Sequence, residues 1–181
     1  MALQFLKRIF NPNKVEIELN EIQALILRSR PIPYFGTVAI IEIKDAVAAR
    51  QMLQKLLPIV SSAEDWHKNE GASVTLTFTY KGLEKIGVPQ ESLDTFPESF
   101  KEGMAERSRF LYDIGVNDPK NWEKVFKRSH IHIAAAIIAN NEEAWKSKLE
   151  EFRSKLTNDS GVEVIMSHDF AVSEEVRNVF G

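Results

Sequence analysis

The run Ile131 to Ala139 (IHIAAAIIA) most constrains what this chain can fold into. It is apolar apart from His132 and ends at Asn140, so as a strand it needs a layer on each side and is expected at the centre of a sheet. The other elements arrange themselves around it. Thr37 to Ile43 (TVAIIEI) is β-branched and reads as a first strand, followed by Lys44 and by Asp45, a good helix N-cap. In Ala46 to Leu57 the residues Ala46, Ala49, Leu53 and Leu57 recur at helical spacing, and Pro58 stops the pattern. Ser73 to Thr79 alternates, with Val74, Leu76 and Phe78 on one face and Ser73, Thr75, Thr77 and Thr79 on the other. From Glu142 to Leu156, Trp145, Leu149, Phe152 and Leu156 form one helical stripe, and after the turn Asn158 to Gly161 a fourth strand is expected over Val162 to Ser167. This order predicts an α+β, ferredoxin-like βαββαβ fold, an antiparallel sheet with both helices on one face.

Composition sets outer bounds. Hydrophobic residues make up 44% and charged residues 27%, a globular balance, and no apolar run approaches the roughly 20 residues that span a bilayer. An integral membrane segment is not expected. The formal net charge is −3 with the basic residues scattered among acids, which leaves no basic stripe for nucleic acid. Cysteine is absent, so disulfides and thiolate metal sites are excluded and a cytoplasmic location is the default expectation. Residues 1–20 read as an N-terminal extension in which Leu3, Leu6 and Phe10, and Phe5 and Ile9, fall near helical spacing; it lacks the sustained apolar core of a signal peptide. Residues 21–181 read as a single domain. Its lead-in, Glu21 to Arg28, is expected to be extended and closed by Pro31 and Pro33.

The anomaly is the link between the second and third strands. Tyr80 to Arg128 is far longer than a hairpin loop of about 2 to 5 residues, so this insertion, at about residues 80–128, must carry structure or function. Lys81 to Ile86 is expected as a short helix capped at Gly87, Pro97 to Arg109 as a second helical stretch, and Gly115 to Trp122 as a turn leading into a helix. On the sheet, the face away from the helices would show Thr75 and Thr77, with His132 or Glu42. Such a face suits solvent or a second sheet, as in a dimeric α/β barrel.

Several phrases in and around the insertion occur in a fixed order: FTYKGLEKIGVP from Phe78, then Phe100, Gly103, Met104 and Arg107, then Asp113, Gly115, Pro119 and Trp122. Together with the strands around them, these residues resemble the N-terminal half of the dye-decolourising (Dyp-type) haem peroxidases, over roughly Glu21 to Asp169. The resemblance implies the ferredoxin-like half of a two-half enzyme that binds haem b and reduces hydrogen peroxide while oxidising dyes or other organic donors. That chemistry needs an axial histidine and a distal acid with an arginine. The family's distal aspartate sits in a Gly-x-x-Asp-Gly motif that this sequence lacks; Gly115 to Asp118 is the nearest look-alike and is followed by Pro119. No haem-pocket residue carries over, so the resemblance implies a chain truncated before the haem motif, inactive alone and binding no haem by itself. Its partner would be the missing C-terminal half or another copy. The alternative is a non-catalytic dimerising or binding module, and whether this chain is an enzyme stays open.

Individual residues support no stronger reading. His67, His130, His132 and His168 are candidate ligands, with His130 and His132 sharing a strand face and His168 closing the fourth strand, a candidate neighbour, but hydrogen-bonded or exposed sheet histidines account for them. Arg107 and Arg109 after Glu106 can be read as an anion site, although Arg107 is better read as pairing with carboxylates or carbonyls inside the insertion. Asp113 and Asp118 flank a turn and read as caps, not as a catalytic pair. Trp66, Trp122 and Trp145 are candidate surface radical sites by the family resemblance, with Trp145 read as core. No catalytic residue or metal ligand is assigned.

Overall fold

The computed structural model describes residues 17–27, 33–64, 71–127 and 130–172, so most of the N-terminal extension, His67 and Trp66 lie outside the described residues. Four strands, β1 (Tyr34–Ile43), β2 (Ala72–Phe78), β3 (Ile133–Ala139) and β4 (Val162–Val172), form one sheet in the order β2-β3-β1-β4. Every neighbouring pair is antiparallel. The apolar run at β3 therefore lies inside the sheet, and the ferredoxin-like topology is the one its pattern predicted.

Among the described residues the first α-helix is α1 (Ala24–Leu27), and two longer helices cover one sheet face: α2 (Ala46–Leu56) and α6 (Glu142–Lys155). Ala49, Met52 and Leu56 from α2 and Leu149 and Phe152 from α6 meet Ala39, Ile41, Ile43, Val74, Leu76, Ile133, Ala135 and Ile137 in the core. Both helices are capped: Asp45, as expected, accepts from the Ala48 amide at 2.7 Å, and Asn141, not anticipated as a cap, accepts from the Ala144 amide at 2.8 Å. Glu142 and Glu143 in the first turn of α6, and Arg153 and Lys155 in its last, complement the helix dipole. Trp145 stacks on Phe35, and its indole N–H donates to Thr37 Oγ1 at 2.9 Å, while Thr37 donates to Asp169 at 2.7 Å. One buried hydroxyl thereby ties α6, β1 and β4 together.

Three expectations need correction. The lead-in is not extended: Leu19–Glu21 is a 3-10 turn, Gln23 bridges to Ser62, and α1 follows. Its task is local, because the Gln23 side chain both donates to Leu76 O and accepts from Leu76 N, each at 2.8 Å, while Ser61 donates its backbone amide to Val74 O at 3.0 Å and accepts the Val74 amide on its hydroxyl at 3.2 Å. These contacts seal the outer edge of β2, which would otherwise present open donors and acceptors. Second, β2 is not half-buried along its length, since Ser73 and Thr75 are buried as well as Val74 and Leu76. The Thr75 hydroxyl is left without a hydrogen-bond partner. Third, β4 does not stop at Ser167 but runs to Val172, with a bulge where its register with β1 shifts between Ile40 and Ile41.

The insertion holds α3 (Tyr80–Lys85), α4 (Gln90–Asp94), α5 (Glu98–Glu106) and 3-10 turns at Gly115–Asn117 and Pro119–Asn121. The helix α4 was not anticipated; it starts directly after Pro89, whose fixed φ suits a helix entrance. The helix expected to Arg109 ends early and is broken at Gly103, where φ 76° and ψ 176° suit glycine alone. In place of a helix after Gly115 there are only the 3-10 turns.

One cluster of contacts closes this insertion. At its start Thr79 donates its amide to His132 O at 3.1 Å and its hydroxyl to Ile131 O at 2.7 Å, and the same hydroxyl accepts from the Gly82 amide at 3.0 Å. At its end His132 donates its amide to Ile41 O at 3.1 Å and accepts the Ile43 amide on Nδ1 at 2.8 Å. Gly82 packs directly on the His132 carbonyl, leaving no room for a Cβ. An acceptor Nδ1 requires the neutral ring. Burial, the largest influence, holds the His132 pKa below its ordinary 6.5; Glu42 opposes this, and His130, Lys85 and Lys44 add to it.

Two outcomes are expected. Gly82→Ala forces a methyl against backbone that cannot move aside and should cost about 3 kcal/mol or more in denaturant unfolding. Because the unfolded chain takes up the His132 proton first, stability is fully present above about pH 6.5 and falls as pH drops from there toward the lowered folded pKa. In His132→Gln, whose amide oxygen can still accept from Ile43, urea midpoints followed across that window should lose this part of the slope.

Candidate functional site

With both long helices on one face, the other sheet face is the natural place for a site. Cross-strand pairing puts Val38 and Ile40 of β1, Thr75 and Thr77 of β2, Ala134, Ala136 and Ile138 of β3, and Met166, His168 and Phe170 of β4 on it. Its middle is shielded, with Ile40, Ile138 and Thr75 buried, whereas Thr77 and His168 are exposed. Phe170 lays its ring over Gly36, where no side chain intervenes, and meets Tyr34 edge-on at 6.0 Å. At the far end of β1, Lys44 bridges Glu42 at 2.8 Å and Glu163 at 2.9 Å. The Lys44 hydrogen bond holds the Glu42 carboxyl below its ordinary range, and Glu42 in turn raises Lys44.

The candidate histidines do not converge. His130 and His132 both precede β3, with ring centres 6.5 Å apart. His168 lies inside β4, opposite Val38, and β1 separates it from β3. Since His132 falls level with Glu42, four residues along β1 from Val38, the two positions are offset by about 13 Å along the strand. Among the described residues no group of histidine, aspartate and glutamate is placed to hold a metal ion.

In the insertion, Arg107 is occupied: its Nε lies 3.4 Å from Glu102, and its guanidinium sits 4.8 Å from the Phe110 ring centre. Asp118 caps the Lys120 amide at 3.0 Å, a bond that lowers its pKa. Trp122 donates to Asn117 O at 2.9 Å and so ties the 3-10 turns together. Sequence reasoning missed the apolar belt beside them, where Met104, Phe110, Leu111, Tyr112, Ile114 and Val116 are all exposed. Tyr112 also holds a left-handed φ of 62°, uncommon for a bulky residue. No residue pattern announces that conformation.

A haem pocket needs an exposed axial ligand facing a distal acid and arginine. Here His132 is buried and holds the Ile43 amide, while His168, exposed and opposite Val38, has Met166 and Phe170 beside it on its face of β4 and no acid or arginine paired across from it. The described residues do not fit haem as a complete site.

The sequence matches the family model described as "DyP dimeric alpha+beta barrel domain" over residues 21–170. Among solved structures, an ancestral D-type dye-decolorizing peroxidase superposes with a TM-score of 0.72 at 23% identity, over 87% of this chain and 36% of its own. A DyP from Auricularia auricula-judae gives 0.71 at 16% identity, over 86% and 34%. A dye-decolorizing peroxidase with an engineered heme pocket gives 0.68 at 15% identity, over 86% and 34%. No curated protein sequence matches. The chain thus spans about a third of the length of these enzymes. With the family match covering β1 to β4 and the whole insertion, the chain belongs to the DyP family, through its N-terminal dimeric alpha+beta barrel domain.

Proposed function

We propose that residues 21–181 form the first domain of a haem-dependent, dye-decolourising peroxidase, supplying one wall of a cavity that a second domain completes. The observation that carries this reading is the family match over residues 21–170, joined to a sheet that keeps both long helices on one face. Haem b, when bound in such an enzyme, supplies the iron at which peroxide is reduced and organic donors are oxidised. The residues that ligate it and move protons are assigned to the second domain. This chain contributes the scaffold, the insertion and a sheet face of mixed polarity. The exposed belt from Met104 to Val116 is a further surface suited to cover by that domain. No helix among the described residues is long and apolar enough to cross a membrane, and a cysteine-free chain suits a cytoplasmic setting.

A second reading, self-association of this domain through the same face, is favoured by the orphaned Thr75 hydroxyl and by half-buried Val38, Met166 and Phe170. Both readings can be tested with the purified chain. Haem titration should give no saturable Soret band and no peroxide-dependent oxidation of an anthraquinone dye; stoichiometric binding with turnover would overturn the assignment of the chemistry to a second domain. In sedimentation equilibrium the self-associating reading expects a dimer that Met166→Glu converts to a monomer. A wild-type monomer at the highest concentration removes that reading.

A further inference from the structure

The helix α2 carries more apolar surface than its core needs. Ala49, Met52 and Leu56 face the sheet; Leu53, which packs against that core at its margin, and Leu57, in the 3-10 turn just after the helix, form with Arg50 and Gln54 a second stripe at i, i+3, i+4 and i+7. This stripe lines a cavity of about 530 Å³ between α2, the outer edge of β2 and the lead-in before α1. Its apolar walls come from Leu53, Leu57, Val60, Leu76 and Phe78, and the volume falls in the range of small-molecule sites, about 300 to 1,000 Å³. Leu57, at 66% exposure, stays uncovered at the mouth.

The polar groups around this cavity are not equivalent. Gln23 and Ser61 are committed to the edge of β2 through their bonds to Leu76 and Val74. Asn20 donates to Glu21 at 3.4 Å. Arg50 donates one N–H to Ile86 O at 2.7 Å and has no carboxylate partner among the described residues. A guanidinium has five N–H donors in a planar fork, so most of this one is available for a bidentate carboxylate.

We propose that this cavity binds a monocarboxylate with an apolar body of moderate size, its tail on Leu53, Leu57 and Phe78 and its carboxylate on Arg50. A helical peptide is a poorer occupant, because a stable protein contact buries about 800 Å² per partner, more than a cavity of this size offers. The site lies on the helix-covered side of the domain and at the sealed edge of β2. It does not depend on the peroxidase reading, and its test needs no haem.

Isothermal titration of the purified chain with decanoate, 2-naphthoate and the neutral analogue decanol decides the matter. Both carboxylates should bind saturably at one site and decanol more weakly. Arg50→Gln keeps a donor for Ile86 O and should weaken decanoate about tenfold while leaving decanol within about twofold, as expected for loss of a charge-assisted hydrogen bond. Arg50→Lys should recover part of that loss. Glu21→Gln, which removes a negative charge from the lining, should tighten decanoate and not decanol. Leu57→Gln changes an exposed residue and should weaken both ligands without lowering the unfolding midpoint. Absence of saturable binding at millimolar decanoate, or binding indifferent to both Arg50→Gln and Leu57→Gln, overturns the proposal.

Discussion

The structure depends on the contacts that close the insertion on itself. A long excursion between β2 and β3 separates two strands that must pair along their whole length, from Ala72 with Ala139 to Phe78 with Ile133. Thr79 and His132 meet one residue beyond the last pair, so the excursion leaves and returns at one point on the sheet. Loop-closure entropy grows only slowly with length, so the cost of holding many residues outside the ladder is modest once that point is fixed. The Ile43 bond to His132 extends the junction to the end of β1, and Gly82 brings α3 close enough for the whole cluster to pack.

This junction also gives physical content to the phrase FTYKGLEKIGVP. Thr79 is there because its hydroxyl can donate to one strand end and accept from the first turn of α3. Gly82 is there because any side chain would strike the His132 carbonyl. Gly103, in the next phrase, has a different reason: its backbone turns α5 through a conformation open to glycine, and the chain resumes toward Arg107 and Phe110. A pattern recognised as a family signature is thus a set of close approaches and turns that hold a scaffold. None of these residues needs to touch a substrate for it to be required.

Much of the fold was legible because periodicity reports burial. The continuous apolar run placed β3 inside the sheet, the Trp145, Leu149, Phe152 stripe placed α6, and Asp45 announced α2. What could not be read depended on contacts distant in sequence. Gln23 looked like part of an extended segment because its role is set by Leu76, which lies across the fold. Ser73 and Thr75 looked exposed because alternation marks a side chain's face without saying what covers it. His168 looked like a companion of His132 until the sheet order put β1 between their strands. The bond from Ile43 to the His132 ring had no local signal, nor did the left-handed backbone of Tyr112.

The two borders of the sheet differ in kind. Along β2 the outward amides and carbonyls of Val74 and Leu76 are answered by Ser61 and Gln23, whereas β4, running from Val162 to Val172, has β1 as its only strand neighbour among the described residues. A sheet closed on one side can lengthen in one direction only. If two copies join by strand addition, they meet β4 to β4 about a two-fold axis, and each then presents its sealed side outward. The same glutamine that finishes one edge thereby leaves β4, among the described residues, as the border at which a further strand is added with least disruption.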